Sequence, residues 1–188
     1  MDDKDIWYSV DPKDLWVIDK LLLSKRLGYD CGPAGIPPSI SKEYVVRPCV
    51  NFEMMSKGAS FMTLGPDNYK IPVGYFWCEK FQGRHLSFDY NWGKQTLAVE
   101  GFREDQKVLD RFCKWIKIED TYELPDVLKE ISERYEWFNV EVIDNKVIEV
   151  HYRYNDDFRG HDSNVIYPVW KDKFMFSECG DRLGFVLE

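Results

Sequence analysis

Cysteine is present but unorganised. The five residues Cys31, Cys49, Cys78, Cys113 and Cys179 are odd in number and no two form a C-x-x-C pair, which excludes a zinc ribbon and a disulfide framework. A reducing compartment is the expectation. Histidine is scarcer still, at three, and His85, His151 and His161 show none of the spacings of a zinc site. No apolar run approaches the roughly 20 residues of a membrane span, and the acidic start Met1-Asp2-Asp3-Lys4-Asp5 is unlike a signal peptide. Positive charge is in deficit, 25 Lys+Arg against 33 Asp+Glu, which argues against a whole-surface grip on a phosphate backbone. Also missing are a Walker loop, a G-x-G-x-x-G turn and a G-x-S-x-G elbow. Lys57-Gly58 lacks the intervening Asp of nucleotidyl-transferring ligases. The expectation is a soluble, cytoplasmic protein with neither nucleic acid nor membrane as partner.

What is present is core. Of 188 residues 44% are apolar and 16% aromatic, enough for one folded unit, or two small lobes, that buries roughly 70% of its unfolded surface. Leu15, Ile18, Leu22 and Leu23 recur at helical spacing between Asp14, a capping residue, and Gly28, a terminator. A proline-rich connector follows over 29–38. Tyr44–Val50, Ala59–Leu64, Val73–Cys78, Arg84–Trp92 and Thr96–Phe102 then read as strands. Helical spacing returns in Val108, Leu109, Phe112 and Ile116, predicting a helix from Asp105, and in Leu128, Ile131 and Tyr135 after Pro125. Strands resume at Phe138–Ile143, Val147–Tyr154, Val165–Trp170, Phe174–Phe176 and Leu183–Leu187. The class is α+β, without repeats or a Gly/Ser linker. A division into lobes at 1–75 and 76–188 suits this order.

The hairpin around Asp144-Asn145-Lys146 carries the chemistry. A three-residue loop sets Glu141 opposite Glu149 and Val142 opposite Ile148, with Val140, Val142, Ile148, Val150 and Tyr152 on one face and Glu141, Glu149, His151 and Arg153 on the other. Opposed carboxylates repel by up to about 1 kcal/mol when exposed and by more when buried. Three compensations stand open: a divalent cation on oxygen ligands, a bridging Arg or Lys, or a solvated acidic face that docks a basic partner.

With three upstream segments, this hairpin resembles the ATP-grasp superfamily, whose closing strands read acidic residue, turn, Glu-Val-Asn-x-Arg. Here Glu141, Glu149, His151 and Arg153 stand in those places. Tyr44-Val45-Val46-Arg47-Pro48 is similar to the strand carrying a phosphate-binding Lys before Pro, with Arg47 in its place. Phe76-Trp77-Cys78-Glu79-Lys80-Phe81-Gln82-Gly83 looks like the hinge whose main chain reads adenine. Asp19-Lys20 is similar to the family's first phosphate-facing Lys. Glu53–Ser60 stands where the glycine-rich flap would be, with Lys57 and Gly58.

The resemblance runs from about Trp16 to Asp157. It implies two small α+β lobes with largely antiparallel sheets clasping a nucleotide cleft. It implies ATP on Lys20, Arg47, Lys57, Glu79, Lys80 and Phe81, and Mg²⁺ on Glu141 and Glu149, with Asn155 in place of the family's Asn because neutral imidazole is a poor Mg²⁺ ligand. Arg153 and Lys57 would steady the transferring phosphoryl group. The implied activity is ligation of a small-molecule or peptide carboxylate to an amine or other nucleophile through an acyl phosphate. The family commonly carries a domain before this core and few residues precede the first helix here, so the expectation is an acceptor site built from this core, supplied by a partner chain or a homodimer, or lost. The alternatives are a vestigial nucleotide-binding module and an α+β interaction domain.

Overall fold

A computed structural model describes residues 6–50, 57–171 and 182–188. The expected strand at Phe174–Phe176, Cys179 and the first half of the flap-like loop lie outside them. A 3₁₀ segment, Pro12–Val17, precedes the helix α1, Lys20–Arg26. Strands β1 (Cys31–Pro33), β2 (Lys42–Pro48), β3 (Ser60–Leu64) and β4 (Tyr75–Glu79) form an antiparallel sheet in the order β1-β4-β2-β3. The remaining strands are β5 (His85–Asn91), β6 (Lys94–Phe102), β7 (Lys114–Lys117), β8 (Trp137–Ile143), β9 (Lys146–His151), β10 (Val165–Trp170) and β11 (Arg182–Leu187). They form a second sheet, also antiparallel, in the order β11-β10-β7-β6-β5-β8-β9. Helix α2, Asp126–Ser132, precedes β8. The α+β class with two largely antiparallel sheets is therefore as expected. The chain crosses from one sheet to the other over 80–84. No helix among the described residues is long and apolar enough to cross a membrane.

Alternation along the strands of the larger sheet decides what its two faces hold. Leu86, Phe88, Tyr90, Phe138, Val140, Val142, Val147 and Val150 point to one side, where they pack with Trp16, Val17, Leu23, Leu128 and Ile131. Each fully buried side chain of this kind contributes about 1.5–3 kcal/mol relative to exposure. The opposite face carries Ser87, Asp89, Asn139, Glu141, Glu149 and His151, and four of these (Ser87, Asp89, Asn139 and Glu149) are nonetheless buried. Buried polar groups persist only when paired. Asn139 Nδ2 donates to Ser87 Oγ at 2.7 Å and to Asp89 Oδ1 at 2.7 Å, and Asp89 Oδ2 accepts from the Asn155 N–H at 2.8 Å.

Three local expectations need correction. The first helix is broken, because Asp19 Oδ1 accepts from the N–H groups of Leu21 (2.9 Å) and Leu22 (3.0 Å) and so starts α1 anew. Asp14, expected as the cap, is instead buried and gripped by Arg134, with Nη2 2.7 Å from Oδ1. The helix expected from Asp105 is absent. Asp105 Oδ1 accepts from the Lys107 N–H at 2.8 Å, an Asx turn that competes with helix, and Lys114–Lys117 join the ladder between β6 and β10. The Asp144-Asn145 turn has two residues, not three, with φ of 53° and 58°, as a type I′ hairpin requires. It pairs Ile143 with Lys146 and Val142 with Val147, and a bulge at Ile148 then restores Glu141 opposite Glu149. Val147 thus takes the core position expected for Ile148.

Candidate active site

The paired glutamates sit at the floor of a cleft of about 910 Å³ on the polar face of the larger sheet. One ligand atom each from Glu141, Glu149 and His151 lies within 4.8 Å of the other two. Glu149 is 4% exposed, and its Oε1 lies 3.0 Å from Lys20 Nζ and 3.4 Å from His151 Nε2. Lys20 is itself buried, delivered by the first turn of α1, whose N-terminus is tied to the residue just after β2 through Lys20 N–H donating to the Cys49 carbonyl at 2.8 Å. Burial pulls the Lys20 ammonium below the ordinary lysine range, and Glu149 offsets part of that. A bridging lysine and a metal-ready pair therefore coexist here.

Glu141 is held from the other side. His85 Nε2 lies 2.8 Å from Glu141 Oε2, and Arg103 Nη2 lies 3.2 Å from His85 Nδ1. A guanidinium only donates, so Nδ1 accepts and the ring proton sits on Nε2, donated to Glu141. Burial pushes the Glu141 carboxyl up, but this hydrogen bond and, after it, attraction from the His85 and His151 rings and the Lys20 ammonium outweigh it and hold the group well below the usual carboxylate range. His85 is wedged edge-on against Phe112 (4.9 Å) and Trp115 (5.9 Å), which fixes the donor direction.

A smaller pocket of about 70 Å³ lies between the two sheets, with Arg47, Glu79, Phe81, His85 and Ile148 in its wall. Arg47 is 8% exposed; its Nη2 donates to the Ile148 carbonyl at 3.0 Å, while its Nε is buried with no partner among the described residues. An orphaned guanidinium N–H in a pocket wall is costly unless a ligand completes it.

The structure therefore gathers the expected residues into two adjoining groups. Arg47, Glu79 and Phe81 share the inter-sheet pocket. Lys57, Arg153, Asn155, Glu141 and Glu149 line the larger cleft. Lys20 joins them through Glu149. Lys80 directs its ammonium to Glu43 Oε2 at 2.6 Å, and Asn155 spends its Oδ1 on the Asp157 N–H at 3.1 Å. In the flap-like loop Gly58 has φ +79°, and a Cβ there would stand 2.6 Å from Tyr75 Oη, so glycine is required where the chain passes β4. His85 and Arg103 were not foreseen. For His85 the sequence signal is that His85, Ser87 and Asp89 alternate with the apolar residues of β5; Arg103, just past β6, carries none.

The chain thus has two antiparallel sheets, with a carboxylate pair on one and a buried arginine on the other. The sequence matches no protein-family model and no curated protein. Among solved structures the chain is similar in fold to ATP-grasp proteins. One, from Archaeoglobus fulgidus and assigned to the ATP-grasp superfamily, is 16% identical, with a TM-score of 0.47 over 92% of this chain and 64% of the other. N5-carboxyaminoimidazole synthetase from Staphylococcus aureus, complexed with ADP, is 14% identical, with a TM-score of 0.47 over 75% and 46%. An L-amino acid ligase from Bacillus licheniformis is 12% identical, with a TM-score of 0.45 over 76% and 42%. The chain spans less than two thirds of each, and the functional reading rests on its own side chains.

Proposed function

We propose that the chain is an ATP- and Mg²⁺-dependent ligase that joins a carboxylate to an amine or other nucleophile through an acyl phosphate. The observation that carries this reading is the convergence of Glu141 and Glu149 at one point of the cleft floor, beside the buried Lys20 ammonium. Two hard carboxylates from adjoining strands suit Mg²⁺, which keeps waters in its remaining positions. When bound there, the ion neutralises phosphate charge and polarises the transferring phosphoryl group.

The protein's own contribution is positioning and charge. The hinge main chain over 79–81 reads the adenine edge at the inter-sheet pocket. Arg47 completes its orphaned donor on a phosphate oxygen. Lys57 and Arg153, both on the larger cleft, face the γ-phosphate as it moves. His85 and Arg103 keep Glu141 ionised and aimed. The substrate carboxylate attacks the γ-phosphorus and ADP leaves; the nucleophile then attacks the acyl carbon and inorganic phosphate leaves.

Magnesium-dependent binding of ATP, read as a rise in melting temperature, tests the nucleotide half of this reading. Release of ADP with formation of a hydroxamate when hydroxylamine serves as nucleophile tests the ligase half. The Arg47→Ala variant should weaken ATP by about tenfold or more, the loss of a charge-assisted hydrogen bond, and leave adenosine nearly unaffected. Equal weakening of both would remove Arg47 from the phosphates.

A further inference from the structure

Within the same cleft, Trp137 and Asn139 lie on the face of β8 that carries Glu141, and Trp137 meets Tyr154 edge-on with ring centroids 5.0 Å apart. Arg159 lies on this aromatic pair, its guanidinium carbon 3.2 Å from the Tyr154 centroid and 4.4 Å from that of Trp137. Among the described residues its side chain makes these ring contacts and no ion pair or hydrogen bond. Two carboxylates of this cleft region are engaged elsewhere: Asp157 grips Arg182 bidentately, with Nη1 to Oδ2 at 2.6 Å, and Asp89 accepts from Asn139 and Asn155. A guanidinium laid on aromatic faces keeps its in-plane N–H fork open, and that fork matches a carboxylate.

We propose that Arg159, on the Trp137–Tyr154 shelf, clamps a second carboxylate of the substrate, so that the ligase acts on a dicarboxylate of about dipeptide length. This rests on the ligase reading for the identity of the reacting end. The length comes from the strand: Trp137 stands four residues from Glu141, about 13 Å along β8. The metal and the transferring phosphoryl group occupy the Glu141 end of that span. What remains accommodates roughly two residues of extended chain. Arg153, on the same cleft, faces the phosphoryl group that the reacting carboxylate receives.

Titration of the purified chain with octanedioate and with octanoate, by calorimetry, tests the clamp without requiring turnover. Wild type should bind octanedioate more tightly than octanoate. Arg159→Ala should weaken octanedioate by about tenfold or more, with octanoate unchanged and the melting temperature of the ligand-free protein preserved, since Arg159 is exposed. Arg159→Lys, which keeps the charge but loses the fork, should fall between. Absence of octanedioate binding, equal affinity for the two acids, or an Arg159→Ala variant indistinguishable from wild type would each overturn the clamp. Discrimination by Arg159 without any MgATP-induced rise in melting temperature would instead leave the clamp standing and remove the ligase reading.

Discussion

Replacing Lys20 by Met is expected to lower the unfolding free energy by about 3–5 kcal/mol, because it strands the Glu149 carboxylate in the interior opposite a second carboxylate. The ammonium and the carboxylate are both nearly inaccessible and 3.0 Å apart, so solvent cannot take over when one is lost. The double change Lys20→Met with Glu149→Leu should be more stable than the single one, since an apolar pair of similar volume removes the uncompensated charge. Urea denaturation of the three proteins measures both effects. A loss below about 1 kcal/mol for Lys20→Met would mean that Glu149 is paired or hydrated in another way.

The second large effect concerns ligand binding. At a hundredfold excess over its dissociation constant a ligand raises stability by about 2.7 kcal/mol. In wild type, MgATP should therefore stabilise the chain well beyond ATP with chelator. In Glu141→Gln that increment should vanish, leaving the magnesium-free response. Glu141 is the better choice for this test than Glu149, because its removal leaves the Lys20–Glu149 pair intact and the fold with it. The variant also leaves His85 a hydrogen-bond acceptor in the amide oxygen, so the packing against Phe112 and Trp115 persists. A magnesium increment equal to that of wild type would take Glu141 out of the metal shell.

The opposition of Glu141 and Glu149 was legible because side-chain alternation in a hairpin leaves few registers that keep the valines on one face. The loop was not: two deviations, a tighter turn and a bulge at Ile148, cancel at Glu141. A bulge of this kind has no signature in Val147-Ile148, either of which suits a core. The false helix from Asp105 arose because Val108, Leu109, Phe112 and Ile116 fit a helical period while the ladder with β6 and β10 is non-local. Helical spacing alone does not mark Lys20 as buried, and only its partner on β9 makes it a buried cation. His85 is joined to Glu141 across 56 residues and to Arg103 across 18, distances at which one sequence holds no pairing signal. Arg159 lay in a polar stretch with nothing local to single it out, since its shelf is built from β8 and from the chain beyond β9.

The central claim is that Glu141 and Glu149 hold one magnesium ion against the phosphates of ATP. A crystal structure of the chain with a non-hydrolysable ATP analogue and Mg²⁺ tests it directly. The account predicts an ion at about 2.1 Å from an oxygen of each glutamate, with phosphate oxygens in its shell, Arg47 Nε satisfied by the nucleotide and adenine against the segment 79–81. Nucleotide bound elsewhere, or an analogue-bound structure in which the two carboxylates share only Lys20 and His85, would contradict it.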